Sequence, residues 1–168
     1  MRWGLLLVIF LIVSCDRMPV ELISKTFTFE KDTLNKTIVS DSLLRDYYFQ
    51  RLDTVNKHGF LFNYRFKEED IKSRPTLIIK GKIRSNYIYS NAAIIAIMTH
   101  DNIQVHWLPI NLRTQIVDLN VWNKFYDSIL LPKSTNEYPI NSIAVESFLG
   151  DSKNENFDLD SVTIIIKR

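Results

Sequence analysis

Three histidines, nineteen carboxylates, three tryptophans and a single cysteine make up the chemical inventory of this 168-residue chain. His58, His100 and His106 are scattered. His100-Asp101 stands before a turn, and His106 alternates with Trp107 on a strand. No Gly-x-Ser-x-Gly elbow, His-Glu-x-x-His pair or glycine-rich phosphate loop occurs, and with four glycines none can hide. A carboxylate pair for glycoside hydrolysis can be drawn from any nineteen acids, so their presence decides nothing. The residue types favour binding over catalysis, and no catalytic residue is assigned.

For binding, the useful groups are aromatic. Trp107 and Trp122 could offer indole faces on which sugar rings stack, or each could fill a core between sheets, as large aromatics commonly do. The core is the first expectation for both, above all for Trp122, which opens a long strand. Trp107 lies near a strand end beside His106 and Pro109. With His106 and Tyr138 it forms the candidate ligand-binding set. Tyr87, Tyr89 and Tyr126 are further aromatics expected to be partly exposed.

Strands must position these groups, because the hydrophobic period is mostly two. Residues 21–30 alternate, with Phe27 and Phe29 on one face. Phe60, Phe62, Tyr64 and Phe66 share a face against Leu61, Asn63 and Arg65. Residues 76–83 are β-branched and follow Pro75, a natural strand entry. Residues 92–99 read as a strand buried on both faces, and Ile103, Val105 and Trp107 alternate over 103–108. Residues 121–131 form a long strand ending at Pro132. Residues 143–148 and 159–166 are the last two, separated by a polar turn over 150–156. Residues 42–52 fit either element: Leu43, Leu44, Tyr47, Tyr48 and Leu52 make a helical stripe, while consecutive aromatics at 47–49 favour the strand, which is preferred. About eight to ten such strands with turns between them indicate an antiparallel sandwich or barrel.

The amino terminus is different. Arg2 precedes the apolar run 5–13, which is too short to span a bilayer and about the length of a signal-peptide core. The run ends in Ile12-Val13-Ser14-Cys15, and Cys15 is the only cysteine. This resembles the lipobox of bacterial lipoproteins. The resemblance implies a signal peptide over 1–14, cleavage before Cys15, acylation of its thiol, a tether over 15–20 and one domain over 21–168. Acyl chains contribute about 0.8 kcal/mol per buried methylene, so two or three hold a protein on a membrane without a spanning helix. The mature chain would carry 20 basic and 19 acidic residues, since Arg2 is the only charge removed. That balance argues against a nucleic-acid partner. With Cys15 acylated no thiol remains for a disulfide, so packing alone must hold the domain.

The second half resembles jelly-roll, carbohydrate-binding-module-like domains of bacterial envelope proteins. The residues behind this are the strand pair around Trp107, Trp122 opening a strand that ends at Leu131-Pro132, the aliphatic strand 143–148, and the terminal run from Asp160 to Ile164. Asp158 and Asp160 are separated by Leu159, where such domains place two adjacent acids. The resemblance implies an all-β jelly-roll sandwich and a glycan partner. It also implies a candidate structural Ca²⁺ held by Glu30 or Asp32 with Asp160, with no other cofactor. Asp-Ser/Thr-aliphatic triplets recur and resemble the O-glycosylation pattern of Bacteroidetes envelope proteins. Ser42 and Thr54 are the candidate acceptors, though such triplets also close turns before strands.

Three functions follow as expectations. The first is an envelope-anchored, non-catalytic carbohydrate- or ligand-binding sandwich. The second is an assembly accessory docking on an envelope protein complex, and the third a glycan hydrolase. A single acid in the window after Cys15 favours the periplasmic face over the cell surface.

Overall fold

A computed structural model describes residues 19–29, 38–40, 48–151 and 154–168. Among them the strands are β1 (Glu21–Phe27), β2 (Ile38–Ser40), β3 (Tyr48–Leu52), β4 (His58–Arg65), β5 (Thr76–Ser85), β6 (Ala92–His100), β7 (Ile103–Asn111), β8 (Asn123–Leu130), β9 (Ser142–Leu149) and β10 (Phe157–Lys167). A short helix, α1 (Glu68–Lys72), and a 3-10 turn (Arg113–Gln115) complete the list. Every strand pairing is antiparallel. One sheet runs β2-β3-β10-β5-β8, with β1 also on β10, and the other runs β4-β9-β6-β7. From β3 to β10 the chain crosses between sheets in the connectivity of a jelly roll, as expected.

β10 is the spine of the larger sheet. One of its edges pairs with β5 along almost its whole length. The other is shared, β3 taking 157–159 and β1 taking 162–167. Its core-facing parity changes midway: Phe157 and Leu159 are buried, and so are Val162, Ile164 and Ile166. A β-bulge between Asp160 and Thr163 absorbs one residue and resets the alternation. Ser161 takes this position with φ 51°, in the left-handed region.

The core lies between the sheets. Leu77, Ile79 and Ile83 of β5 face Ile94, Ala96 and Met98 of β6, with Ile143, Val145 and Leu149 of β9 alongside. Phe60, Phe62 and Phe66 are buried while Leu61, Asn63 and Arg65 are exposed, as the alternation requires. A polar bridge crosses this core. The buried Gln50 side chain of β3 accepts hydrogen bonds from the Phe60 N–H of β4 (2.9 Å) and the Ser147 hydroxyl of β9 (3.1 Å). Gly59 makes room for it, since a Cβ there would stand 2.1 Å from Ser147 Oγ and 2.2 Å from Gln50 Oε1. Gly59→Ala should therefore cost on the order of 3 kcal/mol through overpacking and lost buried hydrogen bonds. The check is a lowered urea midpoint at unchanged m-value.

Several boundaries differ from the sequence expectation. β1 ends at Phe27, and Glu30 lies outside the described residues. Of 42–52, Tyr48–Leu52 is strand and the remainder is outside them. β7 runs on through Pro109 to Asn111, tolerable because β7 is an edge strand. α1 and β2 are too short to show a period. The acids of α1 sit in its first turn and Lys72 in its last, which suits the helix dipole. Buried Asp70 of α1 accepts from Arg168 Nη1 at 2.7 Å, pinning the end of β10.

Candidate functional site

The alternation that buries Phe157 and Leu159 turns Asp158 and Asp160 to the outer face of the larger sheet. Register sets Arg51 of β3 and Arg84 of β5 on either side of Asp158, and Lys82 beside Asp160. Arg51 donates to both Asp158 oxygens, at 2.7 and 3.0 Å. Arg84 donates from Nε at 2.9 Å. The Asp158 hydrogen bond holds the Arg51 guanidinium above even its ordinary pKa. An aspartate that accepts from two guanidinium groups is built to hold them, not to transfer a proton.

Aromatic rings frame the same arginines. The Arg84 guanidinium lies 4.6 Å from the Trp122 ring and 4.7 Å from that of Phe49, and Arg51 lies 5.2 Å from Phe49. Phe49 and Trp122 meet edge to face at 5.7 Å. Trp122 is half-buried on this outer face and does not enter the inter-sheet core expected for it. It precedes β8, which begins only at Asn123 and so leaves the indole outside the strand's alternation.

Beside this cluster opens a cleft of about 250 Å³ lined by Arg51, Arg84, Ser85, Asn86, Asn120, Asn156 and Asp158. Its walls are loops held by amides. Buried Asn123 accepts from the N–H groups of Val117 and Asp118 and donates to the carbonyls of Asp118 and Val121, fixing the loop that presents Asn120 and Trp122. The Asn120 N–H donates to the Ser85 carbonyl at 2.8 Å, and Asn86 Oδ1 accepts from the Asn156 N–H at 2.8 Å. The side-chain amides of Asn120 and Asn156 make no hydrogen bond among the described residues. Guanidinium forks, amides that both donate and accept, and an adjoining aromatic wall suit a ring with hydroxyls at its edge and C–H groups on its faces. Asp158→Asn should lower stability by about 3 kcal/mol, because two partly buried guanidinium groups lose their counter-charge. Thermal melting of the variant checks this.

The candidates drawn from sequence are dispersed. Trp107 is 50% exposed on β7, whereas His106 next to it points to the opposite side of the strand. The His106 and Tyr138 rings lie 6.4 Å apart, and no contact joins them to Trp107. Trp107 is therefore not the core residue first expected, being carried on the outer side of an edge strand. Asp160 is buried and binds Lys82 Nζ at 3.1 Å. Glu30, Asp32, Ser42 and Cys15 lie outside the described residues. Among the described residues no three His, Cys, Asp or Glu side chains gather to hold a metal, and no helix is long and apolar enough to cross a membrane. Thr54 is exposed in a turn where Asp53 Oδ1 accepts from the N–H groups of Val55 and Asn56, at 2.8 and 2.7 Å. Burial pushes the Asp53 carboxyl up, but these hydrogen bonds outweigh it and hold the group below the usual carboxylate range. Arg51, Arg84, Asn120 and Asn156 went unrecognised in the sequence, where each is an ordinary surface residue. The one available signal was the alternation of Lys80, Lys82 and Arg84 in an otherwise aliphatic strand.

Fold and cleft together define a jelly-roll sandwich with a polar, cation-framed site on one outer face. Solved structures of similar fold include a structure entitled CBM4 structure and function, at 13% identity and TM-score 0.44, covering 85% of this chain and 86% of that one. Another is the C-terminal CBM6 of LamC, a marine laminarinase from Zobellia galactanivorans, at 8% identity and TM-score 0.40, covering 84% and 98%. The VP2 subviral particle of infectious bursal disease virus is a third, at 16% identity and TM-score 0.42, covering 90% and 33%. No family model and no curated protein matches the chain.

Proposed function

We propose that this protein is a non-catalytic glycan-binding sandwich held on the bacterial cell envelope by lipid on Cys15. The observation that supports the binding role is the cleft, where the side-chain amides of Asn120 and Asn156, unpartnered among the described residues, stand near two guanidinium groups and an indole. The anchoring role is supported by the lipobox resemblance, and the single acid after Cys15 favours the periplasmic face. Protease shaving of intact cells tests that placement, surface exposure being the result against it.

Binding is tested with the full chain in mild detergent on an array of cell-wall and host polysaccharides, followed by calorimetry. A combined Asn120→Gly, Asn156→Ala variant should bind about tenfold more weakly at an unchanged melting temperature. Glycine is chosen because Asn120 has φ 58°, which alanine would strain. An array on which no polysaccharide binds would overturn the reading.

A second reading rests on the loops beside the cleft. Tyr87, Ile88 and Tyr89 are exposed on one loop and Val117, Leu119 and Val121 on its neighbour, an apolar rim suited to docking on an envelope protein. Co-purification from membranes that yields the same partner repeatedly, and loses it on Ile88→Asp, would favour this role.

A further inference from the structure

Along β5 the residues alternating with the buried Leu77, Ile79 and Ile83 include Lys80, Lys82 and Arg84, all on the outer face. Alternate strand residues are spaced by about 6.7 Å, so the three cations form a ladder along one strand. Lys124 of β8 is the direct cross-strand partner of Lys82, and Tyr126 that of Lys80. Like charges directly opposite one another in a sheet are destabilising. Asp160 compensates Lys82, while Lys80 and Lys124 are exposed and have no ion-pair partner among the described residues.

These groups border a groove of about 490 Å³ that runs over the Ser161 bulge. Tyr126 is 58% exposed at its side, offering a ring face against which a sugar can lie. Arg84 then belongs both to this ladder and to the cleft with Arg51. Among the described residues at the two sites, Lys80, Lys82, Arg84, Arg51 and Lys124 stand over two carboxylates, Asp158 and Asp160. The whole chain, by contrast, carries a net charge of only +2. Among the described residues this sheet face therefore carries a local excess of positive charge that the near-balanced chain as a whole does not.

We infer that the ligand of this face is an acidic polysaccharide, bearing carboxylate or sulfate at regular intervals, lying along the Lys80–Lys82–Arg84 ladder with one end in the cleft. This rests on the glycan reading above and narrows it to a charge class. A nucleic acid is also a regular polyanion, but binding a single strand calls for several aromatic platforms for successive bases. Here the groove offers one exposed ring and the cleft offers amides suited to hydroxyls.

The test is calorimetry of the full chain against dextran, dextran sulfate and polyuridylate at low and high salt, with a Lys80→Gln, Lys124→Gln variant alongside. Dextran sulfate should bind with strong salt dependence and plain dextran far more weakly. The double variant should lose about tenfold in affinity for dextran sulfate, with no fall in melting temperature, since it also relieves like-charge repulsion. Equal affinity for both dextrans, insensitive to salt and to the lysine substitutions, would overturn the charge class and leave the glycan reading standing. Binding of neither dextran form overturns the ladder, while the glycan reading falls only with the polysaccharide array. Polyuridylate binding at least as tight as dextran sulfate would overturn the inference in favour of a nucleic acid.

Discussion

Insertion of one alanine between Val162 and Thr163 should abolish the folded domain, although it adds only one small residue to β10. The bulge at Ser161 already absorbs one extra residue, so a second shifts the alternation beyond Val162 by one. Ile164 and Ile166, each fully buried, would turn to the outer face, and Thr163 and Lys167 would turn inward. The lost burial costs about 1.5–3 kcal/mol per isoleucine and burying a lysine charge adds to it, against the 5–15 kcal/mol total stability of a typical domain. Both flanking pairings suffer at once, because β1 and β5 take their register from this half of β10. By contrast, Ser161→Gly keeps the count and removes the strain of left-handed backbone, so it should be neutral or stabilising by up to about 1 kcal/mol. Far-ultraviolet circular dichroism with urea unfolding distinguishes the two. An insertion variant melting like the wild type would show that the bulge can take a second residue, and would end this account of β10.

The second large effect is expected at Cys15. If its thiol carries the lipid, Cys15→Ser should remove acylation and normal cleavage together, since processing in lipoproteins acts on the acylated cysteine. The variant should remain as uncleaved precursor and incorporate no labelled palmitate. Its sandwich should keep the melting temperature of the wild type, with or without reductant, because the chain has no other cysteine and no disulfide depends on this one. A wild-type protein that takes up no palmitate, or whose mature amino terminus lies several residues beyond Cys15, would refute the anchor. The cleft would be untouched by that result, as all its lining residues come from Arg51 onward.

The site was the least legible part of the chain. The aromatics that looked available for a ligand, Trp107, His106 and Tyr138, lie on edge strand β7 and a loop beside it and do not line the cleft, and adjacent strand positions send Trp107 and His106 to opposite sides. Trp122, expected inside, lies against Arg84 on the outer face, next to the cleft. Residue type alone did not tell which indole adjoins the cleft. Which indole it is depends on which end of which strand lies beside β10.

What the sequence by itself determined was the architecture: period-two alternation, β-branched runs and Pro/Gly/Asn punctuation specify antiparallel strands, and one buried face per strand obliges them to form two layers. Such signals are local, lying within a few residues of where they act. Only the tertiary structure decided that β10 carries a bulge at Ser161, that β1 and β3 share one of its edges, and that Arg51, Arg84, Asn120 and Asn156 converge around Asp158. The site residues come from segments up to about a hundred positions apart, and each is an unremarkable polar residue in its own segment. Cross-strand register brings them together, and register is a property of strand pairs that no single segment encodes.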